Sequence, residues 1–120
     1  MRIVHQIGRT CDRAFTITDA AGDNVVIASG DVVRIKIGRN GETPIIDLDS
    51  NSPTVNGSSC TAANPSTVRL HQDDLNRTDF KPGIYTIEVL VIDDSDSDIA
   101  KHAGNHVLVL EDTQQGSVAV

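Results

Sequence analysis

Aromatic residues are the scarcest class in this chain of 120 residues, which contains two Phe, one Tyr and no Trp. A core must therefore be built from Val, Ile and Leu, and the β-branched members of that set favour strands. Carbohydrate binding by ring stacking has no platform, because it needs exposed aromatic faces. The deficit indicates an all-β protein with an aliphatic core.

Basic residues are also few: ten Lys and Arg stand against seventeen Asp and Glu, for a formal net charge of -7. That balance repels phosphate backbones and anionic lipid headgroups, so we expect neither nucleic acid nor membrane as a partner. Apolar runs such as Val89 to Ile92 fall far short of the roughly 20 residues of a membrane helix. Met1 to Gln6 lacks the apolar segment of a secretory signal, which predicts assembly in the cytoplasm.

Only two cysteines are present, Cys11 and Cys60, and neither belongs to a CxxC motif. Separate free thiols are expected in a reducing compartment, although a disulfide between them stays an alternative.

Strand patterns dominate what is present, and they are clearest in two stretches. From Asp31 to Arg39, Val33, Ile35 and Ile37 alternate with polar residues before an Asn-Gly turn and a return strand at Thr43 to Leu48. The stretch PGIYTIEVLVIDDSDSD, from Pro82 to Asp98, is the longest apolar run and predicts a central strand that ends in an acidic loop.

Weaker patterns complete the expected set of strands. Strand candidates occur at Arg13 to Thr18, Val25 to Ile27, Ser58 to Ala62, Thr67 to His71 and Val107 to Leu110, with a helical turn at Gln72 to Leu75. We predict an antiparallel two-sheet β-sandwich of about seven strands, immunoglobulin-like or jelly-roll-like, with a small barrel as the alternative. Residues 13–112 form the predicted domain, 1–12 an N-terminal arm and 113–120 a C-terminal tail.

The acidic loop is the one candidate metal site, since Asp93, Asp94, Asp96 and Asp98 could gather oxygen ligands for calcium. An EF-hand loop beginning at Asp94 would need glycine at position 99 and glutamate at position 105, which are Ile99 and Asn105 here. A solvated or partner-facing loop is therefore favoured, and no cofactor is expected.

Catalytic patterns are incomplete. His102 and His106 have zinc-ligand spacing, but no Glu follows His102 as the HExxH motif requires. His71 precedes Asp73 and Asp74, yet no Ser or Cys occupies a recognisable nucleophile turn. We expect a protein that is not an enzyme and has no catalytic residue; a hydrolase using His71 or His102 is the least favoured alternative.

Two resemblances add to this interpretation. The segment DFKPGIYTI, from Asp79 to Ile87, resembles the tyrosine corner of immunoglobulin-like domains, in which the hydroxyl of a Tyr such as Tyr85 binds an upstream backbone group. More broadly, Phe15 to Thr113 resembles the N-terminal domain of phage baseplate upper proteins and tail-fibre adaptor domains. The motifs in common are FTITDAAGDNVV, DVVRIKI, PIIDLDS, STVRLHQDDL, PGIYTIEVLVID and HVLVLED, in that order.

The phage resemblance implies a structural protein of the virion, assembled in the host cytoplasm, that binds other virion proteins as a homo-oligomer or on a lattice. A capsid decoration or head-fibre subunit is an alternative within the same class. A module that binds calcium or another ligand is the alternative from a different class.

Overall fold

A computed structural model of the chain describes residues 2–51, 54–55, 58–63, 66–76, 80–93 and 100–112. Within them lie nine strands and one helical turn: β1 (Arg2–Ile7), β2 (Asp12–Thr16), β3 (Val32–Gly38), β4 (Ile46–Asp49), β5 (Thr54–Val55), β6 (Ser58–Cys60), β7 (Thr67–His71), α1 (Gln72–Leu75), β8 (Gly83–Ile92) and β9 (Ala100–Asp112). The helical turn is too short to cross a membrane, and the described residues contain no other helix.

The strands form two sheets, one in the order β1-β9-β8-β3-β4 and the other in the order β2-β7-β6-β5. Their inward faces share one core of nineteen buried hydrophobic side chains, all Val, Ile or Leu except Cys60, Phe80 and Tyr85. The Cys60 thiol donates across the sheets to the Val33 carbonyl at 3.6 Å. The predicted all-β, sandwich-like architecture with an aliphatic core is therefore confirmed.

The clearest sequence pattern forms the centre of the larger sheet. Val33, Ile35 and Ile37 of β3 are at most 1% exposed, as their alternation predicts. β8 lies antiparallel to β3 on one side and to β9 on the other. The long apolar stretch is thus the central strand of the sheet.

The predicted Asn-Gly turn follows β3. Gly41 has a positive φ of 82°, and the Glu42 amide donates to the Arg39 carbonyl at 3.0 Å. The return strand β4 begins at Ile46, later than the predicted Thr43. Pro44 explains the delay, because it has no N–H with which to join a strand ladder.

The predicted N-terminal arm is wrong for most of its length. Arg2–Ile7 is β1, which pairs in parallel with Val107 to Asp112 of β9, so the sheets are not purely antiparallel. Ile3 and His5 point inward and are 1% and 4% exposed. The alternation of apolar and polar residues in β1 was hard to recognise in the sequence, because one of its inward positions is a histidine.

Two further expectations need correction. Val25 to Ile27 is not a strand; an isolated bridge joins Thr18 to Asn24, and the Val25 amide donates to the Ile17 carbonyl at 3.0 Å. β6 lies between β5 and β7, and it ends at Cys60 rather than at the predicted Ala62. The helical turn at Gln72 to Leu75 is confirmed, and Leu75 is fully buried beneath it.

Candidate functional site

An apolar patch lies on the outer face of the larger sheet. Val4, Val109 and Ile84 occupy a row across β1, β9 and β8, because Val4 is opposite Val109 and Val109 is opposite Ile84. Val107 points to the same face two residues before Val109. Val4, Ile84 and Val107 are 46%, 68% and 40% exposed, and Val109 is half-buried between them. We refer to these four residues as the apolar patch.

The patch is where the exposed apolar surface concentrates. Among the described residues four large hydrophobic side chains are exposed, and three of them belong to the patch; the fourth, Val26, lies in a loop. A single exposed hydrophobe is ordinary, whereas a contiguous set in register on a sheet face is typical of a contact surface.

The other half of the same face is charged. Arg34 and Asp47, on β3 and β4, form a two-pronged ion pair with N–O distances of 2.9 and 2.8 Å. The hydrogen bond from Arg34 lowers the pKa of Asp47 and raises that of Arg34 itself. Lys36 and Glu88 are opposite one another on β3 and β8. We refer to these four residues as the charged half.

A tyrosine corner fixes the start of β8, next to the patch. The Tyr85 hydroxyl donates to the Lys81 carbonyl at 2.6 Å and accepts from the Lys81 amide at 3.0 Å. The predicted bond from Tyr85 to an upstream backbone group is therefore confirmed, while Asp79 lies outside the described residues. Because the ring of Tyr85 is buried, the neighbouring Ile84 points outward into the patch.

Arg39 covers the corner from the turn after β3. Its guanidinium carbon is 5.1 Å from the centre of the Tyr85 ring, and one of its nitrogens donates to the Pro82 carbonyl at 3.3 Å. A Cβ on Gly83, whose φ is 150°, would come within 2.9 Å of that guanidinium. The backbone conformation therefore favours glycine at position 83, whereas the guanidinium ends a flexible side chain and could shift to admit a Cβ.

The predicted calcium loop is described only at its first residue. Asp93 is half-buried just after β8, and Asp94, Asp96 and Asp98 lie outside the described residues. In the described part of the chain, no group of three or more His, Cys, Asp or Glu side chains could hold a metal ion. Calcium binding at this loop stays a prediction.

His71 and the residues near it have structural partners. His71 precedes α1, and its Nδ1 accepts from the Asp73 amide at 3.1 Å. The Ser58 hydroxyl accepts from the backbone amide of His71, and the buried Asp74 carboxylate accepts from the Ser58 amide. These bonds use backbone donors, so they join β6 to α1 without aligning a hydroxyl with an imidazole as nucleophilic catalysis requires.

The two histidines with zinc-ligand spacing lie on β9. The His106 ring packs edge-on against Phe15, with 5.2 Å between ring centres. The side chain of His102 lies outside the part of the chain that the structure describes. His106 therefore packs between the two sheets, against Phe15 of the smaller one.

Both cysteines are free thiols, as predicted. Cys60 is fully buried, and burial followed by the charge of Asp49 raises its pKa to about 12. Burial also raises the pKa of Cys11, which is half-buried beside the Leu70 carbonyl. Neither is an activated nucleophile, because a reactive cysteine has a lowered pKa.

Sequence reasoning missed Asn76, which attaches β1 to the rest of the fold. Its Oδ1 accepts from the Gly8 amide and from His5 Nε2, both at 2.8 Å, and its Nδ2 donates to the Arg9 carbonyl at 3.0 Å. No local pattern reveals this, because the partners are about 70 positions away. The apolar patch was also missed, although Val107 and Val109 gave a signal as apolar residues facing opposite to Leu108 and Leu110.

Comparison with known proteins adds no relative: no protein-family model matches the sequence, and no curated protein is significantly similar to it.

Proposed function

We propose that this chain is a non-enzymatic contact module of a phage particle and that it binds another virion protein through the apolar patch. The observation that carries the proposal is the position of Val4, Ile84 and Val107, three exposed hydrophobes side by side on one sheet face. Covering such a surface releases water from apolar area, which is the main driving force of protein association.

The chemistry of the face supports a protein partner over a charged polymer. Apolar side chains occupy one half. The charged half next to it carries both signs, since Arg34 and Lys36 are basic and Asp47 and Glu88 are acidic. Apolar area next to polar groups of both signs is typical of a protein interface. The net charge of -7 disfavours nucleic acid and anionic membranes.

The fold we propose in finer terms is immunoglobulin-like rather than jelly-roll-like. The order β9-β8-β3-β4 matches the G-F-C-C′ order of variable-type immunoglobulin sheets, with β1 added along β9. The tyrosine corner at the start of β8 stands where strand F of such domains begins. Both features support that assignment.

The resemblance to baseplate upper proteins and tail-fibre adaptors supports a location in the virion after assembly in the host cytoplasm. A baseplate or fibre adaptor is the role we favour, and a capsid decoration or head-fibre subunit is the alternative within the class. In both roles the chain acts as a homo-oligomer or on a lattice of other virion proteins.

Quantitative mass spectrometry of purified particles tests the proposal. We expect the wild-type chain at a fixed ratio to the major virion proteins, and an incorporation at least about tenfold lower for Ile84→Asp and Val107→Asp, because a charge buried at an interface is strongly unfavourable. Glu88→Gln, on the charged half of the same face, is the matched control and should be incorporated normally. Absence of the wild-type chain from particles contradicts the virion assignment, and normal incorporation of both Asp variants contradicts the role of the patch.

A further inference from the structure

A recess of about 480 Å³ lies between the turn after β3 and the tyrosine corner at the start of β8. Its lining residues are Arg39, Glu42, Thr43, Ile45, Lys81 and Tyr85. Two of them are basic and one is acidic, although acidic residues outnumber basic ones in the whole chain. The recess shares no lining residue with the apolar patch, so its role is independent of the proposed contact with a virion protein.

Tyr85 contacts both basic residues of the recess. Its hydroxyl accepts from the Lys81 amide at 3.0 Å and donates to the Lys81 carbonyl at 2.6 Å, which fixes the backbone of Lys81. Its ring lies under the Arg39 guanidinium, whose carbon is 5.1 Å from the ring centre. Two cations that are far apart in the sequence are thus placed at one recess by a single buried side chain.

Arg39 keeps hydrogen-bond donors that the fold does not use. One nitrogen, Nη2, donates to the Pro82 carbonyl at 3.3 Å and to the Tyr85 hydroxyl at 3.4 Å. Within the described residues, Nε and Nη1 have no acceptor, and the ion pairs involve neither Arg39 nor Lys81. The guanidinium is already oriented by the ring, so an anion that binds its free edge requires little further ordering.

We propose that the recess binds the side-chain carboxylate of an Asp or Glu in an acidic segment of another protein. A carboxylate accepts two parallel hydrogen bonds from the edge of a guanidinium, and Lys81 adds a second positive charge. Glu42 offsets one of the two positive charges, so a single negative charge is matched and a dianion such as phosphate is disfavoured. All three charged side chains are exposed, so a protein segment can reach them.

The backbone of the recess also favours a side-chain carboxylate. The amides of Glu42, Ile45 and Lys81 already donate within the chain, at 3.0, 2.8 and 3.0 Å. Capture of a phosphate or of a C-terminal carboxylate commonly uses several free backbone amides arranged as a nest. Here the donors that are left belong to the side chains of Arg39 and Lys81, which suit a carboxylate that approaches from one side.

Heteronuclear NMR titration of the full chain in low-salt buffer tests the proposal, with the Arg39 Nε–H signal and the Lys81 amide as readouts. The probe is the blocked peptide acetyl-Ala-Glu-Ala-amide, and acetyl-Ala-Gln-Ala-amide is its uncharged match. Two other anions are titrated separately: acetyl-Ala-Gln-Ala with a free C-terminal carboxylate, and inorganic phosphate.

Four variants separate the recess from general electrostatics. Lys81→Gln removes one charge but keeps both backbone bonds to Tyr85, and Arg39→Gln removes the guanidinium. Glu42→Gln removes the one acidic side chain of the recess. Arg13→Gln is the matched control, because it makes the same change in net charge at an exposed position on β2 of the other sheet. Melting temperatures show that each variant folds.

We expect the Glu peptide to bind the wild-type chain with a dissociation constant of the order of millimolar. Arg39→Gln should weaken binding at least about tenfold and Lys81→Gln about threefold, because the first loses charge-assisted hydrogen bonds and the second an exposed charge. Glu42→Gln should strengthen binding about twofold, and Arg13→Gln should stay within about 1.5-fold of wild type.

The absence of a shift at the Arg39 Nε–H signal with about 50 mM Glu peptide overturns the proposal. Equal shifts with the Gln peptide also overturn it, as does a loss of affinity in Arg13→Gln as large as that in Lys81→Gln, since neither result needs the recess. Tighter binding of phosphate or of the free C-terminal carboxylate contradicts the assignment to a side-chain carboxylate. Weaker binding by Glu42→Gln contradicts the charge argument.

Discussion

The two halves of the outer face of the larger sheet differ in the contacts that their side chains make. The charged half forms its own contacts, since the Arg34 guanidinium binds both carboxylate oxygens of Asp47 across β3 and β4. The apolar patch has Val4, Ile84 and Val107 exposed at 40% or more. The two halves lie on the same face of one sheet and share strand β8. The charged half thus forms side-chain contacts within the chain, whereas the patch is the surface that we propose binds a partner.

The largest difference in stability that we expect is between truncating a core residue and truncating a patch residue on the same strand, β8. Ile87→Ala should lower the free energy of unfolding by about 3 kcal/mol, because Ile87 is fully buried and its loss leaves a cavity. Ile84→Ala, three residues earlier on the opposite face, should cost less than about 1 kcal/mol, since Ile84 is 68% exposed. Urea denaturation of both variants measures the difference. Equal losses would mean that Ile84 serves folding and that the patch needs no partner.

A smaller effect concerns the strand that carries Val4 into the patch. Asn76→Ala should cost about 2 kcal/mol, because it removes three hydrogen bonds that hold the end of β1 and the following turn. Hydrogen exchange should show β1 amides losing protection before those of β3. Asn76→Asp keeps the accepting oxygen and is the control, with a smaller expected loss. If β1 stays protected in Asn76→Ala, pairing with β9 alone holds it.

The smallest effect belongs to the charged half. Asp47→Asn should cost a few tenths of a kcal/mol near neutral pH, because the pair with Arg34 is more than a third exposed and screened by water. The pKa of Asp47 is lowered in the folded chain, so its contribution is present above the unfolded value of about 3.9 and is lost as the pH falls through the lower, folded value. Thermal melts of both proteins should therefore differ above about pH 4 and converge below it. A gap that persists in acid would show that the ion pair is not its cause.

Much of the larger sheet could be predicted from local pattern. β3 and β8 have side chains whose alternation identifies the buried face, and the Asn-Gly turn and the tyrosine corner have residues whose chemistry requires their conformation. β1 could not be found in this way, because an inward histidine hides its period and its partner β9 begins about 100 residues later. Its stability comes from tertiary contacts such as those of Asn76, which no short window contains.

The candidate site was harder to predict than the fold. The sequence directed attention to Asp93 and the aspartates after it, which are conspicuous because they are consecutive in the chain. Val4, Ile84 and Val107 are scattered along the chain, and only the register of β1, β9 and β8 brings them together. An apolar residue at an outward position is a weak signal alone, and it becomes strong when three strands contribute one each.

Cys60 gives this molecule a built-in reporter of its own opening. Its thiol lies between the sheets against the Val33 carbonyl, and burial raises its pKa to about 12, so the reactive thiolate is almost absent while the sandwich is closed. Because Cys60 is fully buried, an alkylating reagent can reach it only when the structure around β6 opens. The rate at which Cys60 becomes labelled therefore measures how often this part of the core opens under native conditions, whereas Cys11, which is half-buried, reports opening closer to the surface.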